Sequence, residues 1–488
     1  MKSTSAQRTE KAIAKLHSQG PMLNTKTGDL KYRRVMLTTA KRPGPGTTAL
    51  HYGDLRPPLG LGYISTFLEQ NGVETTIVDN YLDPQDMAKE IDDFKPDFVG
   101  MYIHSPGYYE ALSLIDEIKN LTGAPLAAGG PQASLMPETI PEKVDFVVQG
   151  EGEYVMAELC RGTKLPRQID NAVTGRIKNL DELPFPDYDK FWGKDYNWKL
   201  DLYDVDAYPV FTMHTSRSCP YRCTFCGVAS IWSRRYTKFS AEGIVDEIGR
   251  LIEKYGCKGI YFREDLFTAN HKRLEEVCDL LIRRNYNIAW ACEARADITD
   301  RNLLEKMRKS GCTGLYLGVE AGSDSALSRK KKDLDLDTIR TFFKHAHDIK
   351  LPTYTTFCMG TPGETDEEIA FTNAFIDEIK PTACDRFAYL GLPKSEDYET
   401  LLRTNDYYHI DAAGIVYSER FYQMAHDLYD PDDQRLYFLK QQKQFLAENR
   451  GKLSPEDLAS YRFPAMDLSK TNVRSTVENE FSIVSGTN

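Results

Sequence analysis

Cys219, Cys223 and Cys226 follow one another as C-x3-C-x2-C inside His214-Thr-Ser-Arg-Ser-Cys-Pro-Tyr-Arg-Cys-Thr-Phe-Cys-Gly227, placing three sulfur ligands within eight residues. A short loop carrying three soft ligands can hold three irons of a 4Fe-4S cluster, and with no fourth cysteine close by the last iron stays open to an outside ligand. Zinc would call for a second ligand pair at finger-like spacing, and none follows. A disulfide framework does not suit ten cysteines scattered over 488 residues, a usage that points to a reducing cytoplasm.

A chain of this length divides into about two or three domains. Its 41% hydrophobic and 27% charged residues are ordinary for a soluble protein, and no apolar run approaches the roughly 20 residues a bilayer span requires. The formal net charge of −11 leaves no broad basic surface, so neither nucleic acid nor an anionic membrane is an expected partner, and a small-molecule substrate is. Residues 1–32 are polar, lack an apolar signal core and read as an arm.

From residue 34 short apolar runs alternate with helical periodicity. Strands are predicted at 35–39, 75–79, 97–103, 124–128 and 145–149, with helices at 60–70, 108–120 and 151–160. This alternation predicts an α/β domain over 33–162, a doubly wound parallel sheet whose ligands bind at the carboxyl ends of the strands. Those ends carry Pro58, Gly60, His104, Gly130, Gly150 and Glu151, and His51 lies in the first of the loops. Residues 163–208 read as a linker. The alternation then restarts over 209–390, with strands at 209–215, 259–262, 288–292, 314–319, 353–358 and 386–390, which predicts a partial parallel (β/α)6 barrel with its site at the carboxyl face. Residues 391–488 read as a mainly helical cap, where Tyr407, Tyr408, His409, Tyr417, Phe421 and Tyr422 either line a pocket or, more commonly for aromatic residues, pack a core. Lys330-Lys331-Lys332 reads as a solvated basic run. Cys257, Cys278, Cys292, Cys312, Cys358 and Cys384 read as core thiols.

The cysteine triplet, with Phe225 before its last member and Gly227 after it, resembles the signature of the radical S-adenosylmethionine (SAM) enzymes. That resemblance implies that Cys219, Cys223 and Cys226 bind a 4Fe-4S cluster whose open iron is chelated by SAM. Gly318-Val-Glu-Ala-Gly-Ser323 resembles the family's fourth-strand SAM motif and brings in Glu320 and Ser323, and Met359-Gly-Thr-Pro-Gly-Glu-Thr365 resembles its fifth-strand turn and brings in Gly360. Glu364 and Thr365 serve either that turn or a helix N-terminus. Arg295 is a candidate to pair with the SAM carboxylate, and Glu264 and Asp265 are candidates to orient ribose or substrate hydroxyls or, ranked below that, to accept protons. Arg56-Pro-Pro-Leu-Gly-Leu-Gly62, Gly129-Gly130 and Val148-Gln-Gly-Glu-Gly-Glu153 resemble the cobalamin-binding domain that precedes the barrel in one large subgroup, although no D-x-H-x-x-G string supplies a histidine for cobalt.

The resemblance implies a cobalamin-dependent methyltransferase that acts on an unactivated carbon of a small metabolite through a 5′-deoxyadenosyl radical, with an electron donor such as flavodoxin or ferredoxin. The other reaction it allows is a dehydration, dehydrogenation, epimerisation or cyclisation that keeps the N-terminal fold without cobalamin as methyl carrier. A simple electron carrier would close the cluster with a fourth thiolate.

Overall fold

The protein is described here from a computed structural model covering residues 30–50, 55–171, 176–200, 205–467 and 469. His51 and the expected arm up to residue 29 lie outside the described residues. In the first sheet, β1 (Arg34–Thr39), β2 (Glu74–Asp79), β3 (Phe98–Tyr102), β4 (Leu126–Gly129), β5 (Phe146–Gln149) and β6 (Gln168–Asp170) are all parallel, in the order β2-β1-β3-β4-β5-β6. Val35, Met36, Leu37, Val99, Leu126 and Val147 are almost wholly buried, as expected of strands with helices on both faces. The order reverses between β1 and β3, and the ligand crevice of such sheets opens there, at the carboxyl ends.

The sixth strand corrects the sequence reading, which stops at five and assigns residues 163–208 to a linker. Gln168-Ile-Asp170 pairs with Val147, Val148 and Gln149 of β5. Only Ile169 of its three residues is buried, too short a signal for alternation to register.

The second sheet is formed by β7 (Val210–Met213), β10 (Gly259–Phe262), β11 (Ala289–Ala294), β12 (Cys312–Gly318), β13 (Thr353–Met359) and β14 (Ala383–Ala388), parallel and in the order β14-β13-β12-β11-β10-β7. Between β7 and β10 runs a small antiparallel pair, β8 (Ser216–Arg217) and β9 (Thr237–Lys238). Outward-facing Phe211, Ile260, Phe262, Trp290, Cys292, Leu315, Leu317 and Phe357 are buried. The alternate residues face inward, where Leu200 and Ala207 of the crossing segment pack on Val210, Tyr261 and Ala291.

The cap consists of helices Glu396–Thr404, Glu419–Leu428, Gln434–Asn449 and Pro455–Ser460 with the hairpin β15 (His409–Ile410) and β16 (Val416–Tyr417). Buried Tyr417, Phe421 and Tyr422 form an edge-on ring cluster that is core packing. The cap also clasps the first domain. Gln132 donates to the carbonyl of Ala413 at 2.9 Å, the Tyr109 hydroxyl to that of Ala459 at 2.9 Å, and the Met466 amide to that of Pro45 at 2.6 Å. Among the described residues no helix is long and apolar enough to cross a membrane.

Two side-chain expectations change. Cys257, Cys278, Cys292 and Cys312 are buried, but Cys358 and Cys384 are only half-buried, because Cys358 is on the inward face of β13. The run Lys330-Lys331-Lys332 is not solvated: Lys330 is fully buried and Lys332 nearly so, and only Lys331 is exposed.

Candidate active site

The loop carrying the three cysteines leaves the inner rim of the second sheet, and the β8–β9 pair closes its base through Ser216 and Lys238, Arg217 and Thr237. Each part of the molecule anchors it. From the barrel, Glu264 accepts from the Ser216 amide at 2.8 Å and its hydroxyl at 2.6 Å, and Asp265 from the Ser218 amide at 3.0 Å. Tyr221 donates to Asp297 at 2.8 Å, and the Arg295 guanidinium lies 3.7 Å from the centre of its ring. From the cap, Asp397 accepts from the Thr224 hydroxyl at 2.9 Å, and its own amide donates to the Thr224 carbonyl. From the first domain, Glu151 and Glu153 hold Arg217 at 2.8 and 2.5 Å.

The cysteines are half-buried. Burial raises all three thiols above their ordinary pKa, Cys226 up to about 12, so binding a metal centre must release their protons. Three thiols on one pinned loop are the donor chemistry of an iron-sulfur cluster. Phe225 packs in the small cluster of Tyr389, Tyr398, Leu401 and Val416, and Gly227 opens the short helix Val228–Trp232.

Beside the loop, Glu320 takes a left-handed backbone (φ 73°) and its carboxylate meets Lys332 at 3.3 Å. Both side chains cross Gly318, where a Cβ would stand 2.2 Å from the Glu320 carboxylate. Lys332 also acts electrostatically on Cys219 and Cys223. Beneath them Lys330 donates to the carbonyl of Glu320 at 2.9 Å, that of Cys358 at 2.6 Å and the carboxylate of Glu364 at 2.7 Å. Glu364 in turn accepts from the Gly360 amide at 2.7 Å, and Gly360 itself has φ 80° with Met424 packed against it. Of the two residues left between turn and helix, Glu364 belongs to this buried pair and Thr365 caps the helix Asp366–Ile379 in a capping box with Glu368. Ser323 caps the helix Asp324–Arg329. Arg295 is committed to the chain: it donates to Asp297 at 2.8 Å and to the carbonyls of Lys332 and Asp333. Lys332, paired with Glu320, is the cation that acts on Cys219 and Cys223.

At the strand ends of the first sheet, Gly130 (φ 94°) lies so close to the Ile103 carbonyl and the Tyr102 ring that a Cβ would sit 2.7 and 2.8 Å from them. His104, just past β3, keeps a buried Nδ1 without a hydrogen-bond partner, and burial lowers its pKa to about 4. Ser105 pairs with Gln132, and the Gly150 amide donates to the Ser134 hydroxyl. Pro58 precedes the helix Leu59–Gln70, in which Gly60 is exposed with open space around it. These small, uncharged positions and the unspent imidazole fit a large neutral ligand decorated with amides. Glu151 does not join them: it is buried between Arg176 at 3.0 Å and Arg217, and its second oxygen accepts from the Ile177 amide.

Residues 213–376 match the model of the Radical SAM superfamily, and residues 47–160 that of the B12 binding domain. An uncharacterized methyltransferase of Pyrococcus horikoshii is 28% identical to this chain over 67% of the chain and 74% of the relative. The anaerobic magnesium-protoporphyrin IX monomethyl ester cyclase of Rubrivivax gelatinosus is 25% identical over 71% and 66%. Among solved structures, the radical SAM methyltransferase TsrM of Kitasatospora setae superposes with a TM-score of 0.66 at 16% identity, covering 82% of this chain and 90% of that one. The cobalamin-dependent SAM radical enzyme OxsB gives 0.60 at 14%, covering 92% and 78%; both share the fold. The Radical SAM match implies a 4Fe-4S cluster and SAM, and the B12 binding match implies cobalamin.

Alternation along strands and motif spacing brought the cysteines, Glu320 and Gly130 to notice. The sequence pattern assigns Lys330 to a solvated run, carries Glu153 only as the end of a motif, and gives no role to Arg217, Arg176, Arg263 or Glu293. For the last two a signal did exist: both stand at strand ends, two residues along the inward face from Tyr261 and Ala291.

Proposed function

We propose that the protein is a cobalamin-dependent radical SAM methyltransferase acting on an unactivated carbon of a small metabolite. The observation that carries this reading is the junction of Arg217 with Glu151 and Glu153, which ties the cysteine loop to a strand end of the B12-binding sheet. With that staple in place, the carboxyl ends of both sheets open on one chamber. Arg263 of the barrel acts electrostatically on Tyr81 and Tyr102 of the first domain as well as on His214 and Glu293 of its own.

When bound, cluster and SAM supply a 5′-deoxyadenosyl radical and cobalamin supplies a methyl carrier. The chain's own residues hold, orient and exclude. Cys219, Cys223 and Cys226 bind three irons, and Glu320 with Lys332 receives the amino-acid end of SAM beside them. Arg295, Asp297 and Tyr221 keep the loop from shifting, and the cap closes the chamber to water through Asp397, Ala413 and Ala459. Reduction comes from a small electron-transfer protein of the flavodoxin or ferredoxin kind.

The cyclase relative favours a second reading, in which the radical alone rearranges the substrate. Holoprotein with substrate and methyl-labelled SAM separates the two. Methyl transfer yields labelled product with S-adenosylhomocysteine and 5′-deoxyadenosine in equal amounts. Product formed with 5′-deoxyadenosine alone, without label, rules methyl transfer out.

A further inference from the structure

The strand register lays one inward-facing row across the barrel. Thr212 pairs with Tyr261 and Tyr261 with Ala291, so the next inward level joins His214, Arg263 and Glu293; Glu293 then pairs with Tyr316, and Tyr316 with Tyr354. The Tyr261 ring stacks on Tyr316 at 5.0 Å, and Tyr316 lies 5.6 Å from Tyr354, which makes a continuous aromatic wall. Tyr261 donates to Glu293 at 2.6 Å, and the Tyr354 hydroxyl is bonded to Asp385. Arg263 is the exception in this row. It is half-buried, yet among the described residues its guanidinium has neither a hydrogen-bond acceptor nor an ion-pair partner.

Arg295, Arg217 and Arg273 all have carboxylate or carbonyl partners nearby. A guanidinium offers five donors in a fork matched to a carboxylate or phosphate, and a half-buried one that no described group engages is open to an arriving anion through charge-assisted hydrogen bonds. Lys332 serves the cluster side, whereas Arg263 stands level with the aromatic wall.

The geometry points to Arg263 as the substrate anchor, binding a carboxylate or phosphate group of a small planar substrate laid against the half-buried rings of Tyr316 and Tyr354. The identity of that occupant as a methyl acceptor rests on the function proposed above; the oxyanion site itself does not.

The test uses anaerobic holoprotein with cluster and cobalamin bound and SAM present, and equilibrium dialysis of benzoate against benzamide, isosteric probes that differ in charge. Wild-type protein is expected to prefer benzoate by about tenfold or more, the range of a charge-assisted pair. Arg263→Gln is expected to abolish that preference and Arg263→Lys to keep part of it, with iron, cobalamin and SAM binding unchanged in both. If Arg263→Gln does not fold, Arg263→Lys decides by a several-fold loss. Equal binding of the two probes by wild type, or an undiminished preference in the variants, overturns the inference. So does a tenfold loss of SAM or cobalamin affinity in Arg263→Gln, which would assign the guanidinium to an anion of the cofactor. Unlabelled product in the methyl-transfer experiment leaves this site standing, and an absent benzoate preference leaves methyl transfer standing.

Discussion

Arg217 of the cysteine loop and Glu153 of the B12-binding domain meet at 2.5 Å, with only 11% and 4% of their side-chain surfaces exposed. Breaking a buried pair by removing one partner costs about 3–5 kcal/mol, because the other charge stays behind. Arg217→Met strands Glu153, while Glu151 keeps Arg176. Urea unfolding of the apoprotein should therefore show a loss of about 3 kcal/mol or more, and reconstituted protein should hold its iron less tightly. Unchanged stability would mean that the two domains do not depend on this junction.

Lys330 makes a sharper case, since it and Glu364 have no exposed side-chain surface at all. Lys330→Met removes the donor to two carbonyls and one carboxylate that fix the turns flanking the SAM side of the site. Its expected cost is also about 3–5 kcal/mol, whereas Lys331→Met, at an exposed pair with Glu396, should change stability by under about 1 kcal/mol. Equal effects in the two variants would contradict the burial of Lys330.

The cluster assignment is tested by chemical analysis. Anaerobically reconstituted wild type should bind about four irons and four sulfides, and the triple replacement of Cys219, Cys223 and Cys226 by alanine should bind none and form no 5′-deoxyadenosine. Full iron content in the triple variant would place the cluster elsewhere.

Burial raises the Glu293 carboxyl from 4.5 to about 7, against the hydrogen bond from Tyr261 and the charge of Arg263, with Glu264 and Asp265 adding repulsion. A carboxyl whose pKa is higher folded than unfolded binds more protons in the folded state, so stability falls as pH rises through the window from about 4.5 to 7. Asp265, Asp397 and Asp411, each raised by burial to about 6, act in the same direction below that point. Glu293→Gln should therefore flatten the upper part of the melting-temperature profile, between pH 6 and 7, and leave the lower part sloping. An unaltered upper slope would show that Glu293 is ionised throughout.

The strand pattern was legible where apolar runs are bounded by glycine or proline, as at Gly259–Phe262, which the structure reproduces residue for residue. Cys219, Cys223 and Cys226 were legible because a ligand set on one loop is a local pattern. Lys330 was not, since a lysine among lysines reads as surface until Glu364, 34 residues on, is folded beneath it. Arg263 and Glu293 escaped notice for a related reason: their shared level is set by register between strands that the sequence keeps apart. Ile169 is the opposite failure, a strand so short that only its pairing reveals it.

The clasp between Tyr109 and Ala459 joins residues 350 positions apart. At the usual pace of synthesis, about 5–20 residues per second, roughly 20 to 70 s pass between the making of the two. Once Asp170 has been added, every strand of the first sheet exists, while the cap residues that will meet its strand ends are still to be made. Any ligand that reaches those strand ends before the cap is made meets them without the contacts of Ala413 and Ala459.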